Sequence, residues 1–208
     1  MANHKTKKLF LICCIALLCI TGCASPQPML PISEPGKRWQ FNGFSIIPPT
    51  SNGWEWVGSE GQPIETFFNA TYLKKMSPAS VIAEVSASKL GEKRFTTADE
   101  LSVYIESLEL MQEGPRQKNV KSSVWPDRER EDICVRWYIE AKDDNVPGYV
   151  GRLFSLDLRG IACIHPHNED VIVMANISRR TPEGQQPISS DKEGVQYIDS
   201  MRMNEITW

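Results

Sequence analysis

Long apolar runs and histidine are scarce in this chain, and an excess of positive charge is absent. Its longest apolar run, Leu9 to Ile20, holds twelve residues, whereas a helix that crosses a bilayer needs about 20. A permanent transmembrane helix is therefore not expected. Histidine occurs three times, which leaves little material for imidazole catalysis. There is no Gly-x-Ser-x-Gly elbow, no His-Glu-x-x-His zinc motif and no phosphate-binding glycine loop, so hydrolase, zincin and nucleotide chemistry carry no local mark. Acids outnumber bases, 26 to 23, for a formal net charge of −3, the wrong sign for a nucleic-acid binder. No internal repeat is visible, which argues against a solenoid.

What is present begins at the N-terminus. Lys5, Lys7 and Lys8 without an acid, then the apolar run, then small residues before Cys23 form the three-part layout of a secretion signal. Ile20, Thr21, Gly22 and Cys23 resemble the bacterial lipobox: an aliphatic residue, a tolerated residue, a glycine and the cysteine that is lipidated. The resemblance implies a signal peptide over residues 1–22, cleavage before Cys23, and acyl chains, palmitate among them, on that cysteine. At about 0.8 kcal/mol per buried methylene, two or three chains hold a protein stably to a bilayer without spanning it. By the same resemblance, Ala24 in place of an aspartate implies the periplasmic face of the outer membrane. The outer leaflet of the inner membrane is the alternative. Loss of Lys5, Lys7 and Lys8 takes the net charge from −3 to −6.

Of six cysteines, three survive cleavage, and lipid takes Cys23. Cys134 and Cys163 remain, an even pair in an oxidising compartment, which reads as a disulfide. Residues 23–36 carry Pro26, Pro28, Pro31 and Pro35 and read as a semi-extended tether, long enough to lift a domain by roughly 40 Å. Residues 37–208 are expected to form one domain.

Within it, Phe41 to Ile47, Trp54 to Val57, Thr66 to Leu73 and Val81 to Ser88 read as short strands between turn residues. Thr97 with Glu100 is a capping box that opens a helix with Leu101, Tyr104, Ile105, Leu108 and Met111 on one face, stopped by Gly114 and Pro115. Ser190 with Glu193 opens a second, shorter helix with Val195, Ile198 and Met201 on one face, weakened by Gly194. The block from Asp127 to Asp132 alternates in sign and reads as a solvated loop.

Between the helices the period is two. Ile133, Val135, Trp137, Ile139 and Ala141 alternate with Cys134, Arg136, Tyr138 and Glu140, the pattern of a half-buried strand. A turn around Gly148 and a strand from Leu156 to Ile164 follow. Pairing residues whose numbers sum to 297 places Ile133, Val135, Trp137, Ile139 and Ala141 opposite Ile164, Ala162, Gly160, Leu158 and Leu156, and puts Cys134 opposite Cys163 on the other face. A slip of one residue loses both matches. The bridge would close roughly 29 residues and contribute about 3–4 kcal/mol. The register also sets Glu140 against Asp157, an unfavourable like-charge pair. Val171, Val173, Ala175 and Ile177 continue as a third strand. The expected class is α+β: an antiparallel sheet with a C-terminal meander, packed with two helices. Gly43 to Pro48 and Ser200 to Met203 resemble parts of PsbP/Mog1-like α/β domains, and Gly160 to Pro166 looks like a segment of uncharacterised bacterial lipoproteins. Neither resemblance implies an activity.

Three groups of residues are candidates for chemistry or recognition. His165, His167 and Asp170, with Cys163 and Glu169, form the densest set of potential metal ligands. Pro166 and a disulfide at Cys163 both oppose that use, and turn histidines beside a cystine are the alternative. Trp54 and Trp56 put two indoles on one strand face, suited to a ligand or partner surface, or equally to a core. Arg136, Tyr138 and Arg159 share the disulfide-bearing face and would suit an anion. A helix covering that face, with the charges at its rim, is the alternative. No cofactor is expected and no catalytic residue is marked. The functional expectation is a non-enzymatic envelope domain that binds a protein or ligand. A metal-binding protein using His165 and His167, and a hydrolase of envelope components using unidentified carboxylates, are the alternatives.

Overall fold

The structure, a computed structural model, describes residues 30–32, 34–57, 67–144, 146, 148, 149, 151–185 and 191–205. The expected signal peptide, Cys23, most of the tether and Ser190 lie outside the described residues. Among the described residues strand accounts for 52% and helix for 12%, so the structure is mostly β, and the expectation of an α+β arrangement is overturned.

One antiparallel sheet of eight strands dominates. Its order is β1 (Leu30–Pro31), β4 (Trp54–Val57), β5 (Phe67–Met76), β6 (Ala79–Lys89), β10 (Asn168–Pro182), β9 (Phe154–His165), β8 (Cys134–Asp143) and β7 (Gln117–Pro126). The meander is not a separate C-terminal unit. β10 pairs with β6 from Val171 opposite Lys89 to Arg180 opposite Ser80, which fuses the N-terminal strands and the meander into one sheet. The two helices, α1 (Ala98–Glu106) and α2 (Asp191–Asp199), are nine residues each, too short to carry half the architecture. A small sheet, β2 (Trp39–Phe41), β3 (Phe44–Ile46) and β11 (Arg202–Met203), completes the fold.

The register of β8 on β9 follows the sum rule throughout, from Cys134 opposite Cys163 to Asp143 opposite Phe154. The cysteines are bonded, with a Cα–Cα separation of 4.1 Å. Glu140 does face Asp157, but the Tyr138 hydroxyl lies 2.8 Å from a carboxylate oxygen of each and shares its proton between them. Arg179 and Arg159 also hold Asp157, at 2.8 and 3.3 Å.

Local sequence explains most boundaries. The stretch expected as one strand, Phe41 to Ile47, is instead a hairpin whose turn is Asn42–Gly43, with Gly43 at φ +88°, a conformation glycine adopts without a Cβ clash. Thr97 and Glu100 form the capping box, Glu100 N–H donating to Thr97 Oγ1 and Thr97 N–H to Glu100 Oε2. Helix α1 stops at Glu106 and not near Met111: the Ser107 hydroxyl donates to the Tyr104 carbonyl at 2.6 Å, and Glu109–Met111 turns as a 3₁₀ segment. Leu30–Pro31, expected within the tether, pairs with β4, an edge position where proline costs no ladder bond. The opposite edge, β7, has a register break between Lys118 and Lys121, with Asn119 at φ +53°. Lysines and a bulge on an edge oppose pairing with another chain.

Each face of the large sheet has its own core. On one, Leu101 and Ile105 of α1 and Met111 pack on Val135, Trp137, Ile139, Leu156, Ile164 and Ile172. On the other, Tyr197, Ile198 and Met201 together with Phe44 and Ile46 cover the cystine, Trp54, Trp56, Tyr72, Val173 and Ile177. Gly194 has a packing reason within α2: a Cβ there would meet Ile177 Cγ2 at 3.0 Å, so the helix lies closer to the sheet than alanine would comfortably allow.

Candidate functional site

Alternation along β7, β8 and β9 brings one set of predicted residues together. Trp125 lies directly opposite Arg136, and Tyr138 directly opposite Arg159, on the face that carries the cystine. Helix α2 crosses that face, and between it and the strands is a cleft of about 340 Å³ lined by Trp125, Arg136, Tyr138, Arg159, Val195 and Ile198. Val195, expected on the buried face of α2, is 41% exposed, and Trp125 is 44% exposed.

The polar groups of this cleft are already engaged. Arg136 Nε donates to Asp127 Oδ2 at 2.8 Å and Nη2 to Asp199 Oδ1 at 2.7 Å. Burial alone would lower its proton affinity, but the carboxylates of Asp199 and Asp127 more than offset this and raise it. Arg136 therefore clamps α2 to β8 and is not an open anion receptor. Asp127 is buried beneath it, so the charged block from Asp127 to Asp132 is anchored by its first residue and is not wholly a solvated loop. The Arg159 guanidinium lies 5.3 Å from the centre of the Tyr138 ring. Burial, then hydrogen bonds to Glu140 and Asp157, push the Tyr138 phenol far above its ordinary range. Burial works to raise the Asp157 carboxyl, but bonds from Arg159 and Tyr138 and the charge of Arg179 outweigh it and hold it below the usual carboxylate range. The surface free for recognition is thus the apolar and aromatic part of the cleft.

The other predicted sets are placed differently. Trp54 and Trp56 are 4% and 9% exposed and belong to the core under α2. Trp54 Nε1 donates to Glu193 Oε1 at 3.2 Å. Trp39 packs edge-on against Trp56 and Tyr72, each at 5.6 Å, and Tyr72 against Tyr197 at 6.0 Å. In this cluster Trp56 Nε1 and the Tyr72 and Tyr197 hydroxyls are buried without a hydrogen-bond partner among the described residues. Burial pushes both phenols above their ordinary range, Tyr197 helped by Tyr72 and Glu84.

His165 is fully buried, its Nε2 between the carbonyls of Asn204, at 2.8 Å, and Gly43, at 3.0 Å. Carbonyls only accept, so Nε2 carries the proton. Nδ1 in turn accepts the His167 N–H at 3.2 Å. Nε2 thereby holds the small sheet to the end of β9, and Nδ1 is engaged by the turn that follows. His167 is exposed, the Asp170 carbonyl accepts the Leu90 N–H, and Cys163 is in the disulfide. Among the described residues no group of three or more His, Cys, Asp or Glu could hold a metal ion.

Sequence reasoning missed a second cleft, of about 510 Å³, on the opposite flank of α2. Arg38, Thr50, Gln196, Ser200 and Arg202 line it, with Glu193 and Asp199. Arg38 and Arg202 lie at opposite ends of the domain sequence, and no local pattern links them. Only the closure of β11 onto β3, which sets Arg202 opposite Ser45, brings them to one place. No protein-family model matches this chain, and neither does any curated protein.

Proposed function

We propose that this protein is a lipid-anchored envelope protein, attached through acylated Cys23 to the periplasmic face of the outer membrane, whose domain binds a partner protein through the Trp125 cleft. The anchor rests on the lipobox-like residues Ile20 to Cys23. The observation that carries the binding role is the pairing of Trp125 and Val195, both more than 40% exposed, at one cleft whose charged groups are already paired. Large apolar side chains gathered at a concave surface lower their free energy by being covered, and tryptophan is enriched among the residues that dominate interfaces. The domain does no chemistry in this reading: it holds a partner at the membrane.

A photoreactive residue placed at Val195 in cells tests it. A discrete crosslinked envelope protein, lost when Trp125→Ala is added, is the expected result. Absence of any specific product would reject the partner. Metabolic labelling with palmitate, lost in Cys23→Ser, tests the anchor separately.

A further inference from the structure

We propose that the cleft between the segments flanking the β2–β3 hairpin and the last turn of α2 binds a phosphate group, with Arg38 and Arg202 as its two arms. Four guanidiniums converge on that turn. Arg38 Nη1 donates to the Ser200 carbonyl at 2.6 Å, Arg130 to those of Met201 and Asp199 at 3.0 and 3.3 Å, and Arg202 Nη1 to Asp199 and Met201 at 2.7 and 2.9 Å. Arg136 takes the Asp199 side chain. A helix C-terminus favours cations, but one or two would satisfy these carbonyls.

The count of negative partners falls short. Asp127 is bonded to Arg136 and lies 3.7 Å from Arg130, and Asp199 is bonded to Arg136. Both Glu193 oxygens are taken, by the Ser51 N–H and hydroxyl and by Trp54. Arg38 and Arg202 have no carboxylate among the described residues, and each engages only Nη1, Arg38 having one further contact to Ser45 Oγ at 3.3 Å. Among the described residues nothing bonds to Nε or Nη2 of either, the edge with which arginine grips an oxyanion. After burial, the charge of Arg202 is what lowers the proton affinity of both Arg38 and Arg130. Two like charges face one cleft in a chain of net charge −3. An anion between them would relieve that repulsion. Thr50 and Gln196 on the wall add donors, and the oxygens of a tetrahedral anion diverge in directions that can meet two forks from separate elements.

The source of the phosphate, though not the site, rests on the proposed anchor. Pairing of Leu30 with Trp56 fixes the domain seven residues after Cys23, a reach of about 25 Å at full stretch. A phospholipid headgroup and a free phosphate are both within the chemistry of the site.

The test uses the mature chain, residues 23–208 with Cys23→Ser, titrated by calorimetry with inorganic phosphate and with a short-chain phosphatidylglycerol below its micelle concentration. Saturable binding is expected, weakened about tenfold or more by Arg38→Gln or Arg202→Gln and unchanged by Lys118→Gln on the far edge. Arg202→Lys keeps the charge and loses the fork, so it should also weaken binding while the Tm is retained, which covers the case in which Arg38→Gln unfolds the chain. Phospholipid binding tighter than phosphate assigns the headgroup, and equal affinity assigns a free phosphate. No saturable binding of either, or equal loss in Lys118→Gln, overturns the site. Trp125→Ala leaves this titration unchanged, so a failure of the partner reading and a failure of the phosphate site are separately visible.

Discussion

The two faces of the large sheet are covered in different ways. The α1 face is apolar through its depth: Leu101, Ile105 and Met111 sit on Val135, Trp137 and Ile139, and the helix that covers it begins with a complete capping box. The α2 face is covered by a helix whose ends are held by charged groups, over a core that contains Trp56 Nε1 and two tyrosine hydroxyls without partners. Clefts flank it on both sides. Unpaired buried polar groups cost stability, and the cystine lies on the same face. The contrast suggests a division of labour in which the α1 face supplies stability and the α2 face supplies surface, reinforced by a covalent bond.

The sharpest way to break that contrast is to remove the bond. Replacing Cys134 and Cys163 by serine should lower unfolding free energy by about 3–4 kcal/mol, read by urea denaturation. A loss near zero would mean that the α2 face needs no reinforcement. On the α1 face, Gly160→Ala should cost about 3 kcal/mol, because a Cβ at Gly160 would overlap the Trp137 ring and lie 2.8 Å from the Ala175 carbonyl. Calorimetric Tm measures this, and partner crosslinking at Val195 should survive wherever the protein remains folded.

Asp157 offers a pH test of the ion-pair rim. Its folded carboxyl is held low, so its contribution is present above the unfolded pKa and disappears as pH falls through the folded one. Asp157→Asn should therefore flatten the loss of stability between about pH 5 and pH 2, visible in the acid limb of a Tm-against-pH curve. An unaltered limb would remove Asp157 from the account. Smaller still, Thr97→Ala should cost about 1 kcal/mol by opening the α1 cap, with no change at either cleft. Least of all, Trp125→Ala should alter stability by less than about 0.5 kcal/mol while abolishing crosslinking, which is the clearest separation of surface from support.

The parts legible in the sequence were those written in local periodicity or in paired constraints. β8 and β9 were readable because apolar alternation and two cysteines select one register independently. The α1 start was readable because Thr97 and Glu100 are three residues apart. β7 escaped notice because an edge strand with few buried side chains has no alternation to show: Lys118, Asn119, Lys121 and Ser122 are solvated. The α+β expectation failed for the same reason, since β7 and the β6–β10 seam were invisible and the helices were read as longer than they are. Arg136, Tyr138 and Arg159 were rightly placed on one face, but the carboxylates that engage them, Asp127, Asp199 and Asp157, come partly from distant elements. Arg38 and Arg202 meet only through β-pairing at the two ends of the domain. Trp54 and Trp56 show the limit of spacing arguments, because the same alternation serves a core and a binding strip, and only burial by α2 distinguishes them.

The break at Asn119 bears on crowding. Proteins confined to a surface meet each other edge-on far more often than the same number of molecules in solution, and an unbroken ten-residue strand at the rim of a sheet is a template for lateral zippering. The bulge between Lys118 and Lys121 interrupts that template, and the two ammonium groups repel their counterparts on a neighbour. If the proposed lipid anchor holds the chain in two dimensions, this break would act as a colloidal safeguard, allowing dense coverage of the membrane without lateral pairing along β7.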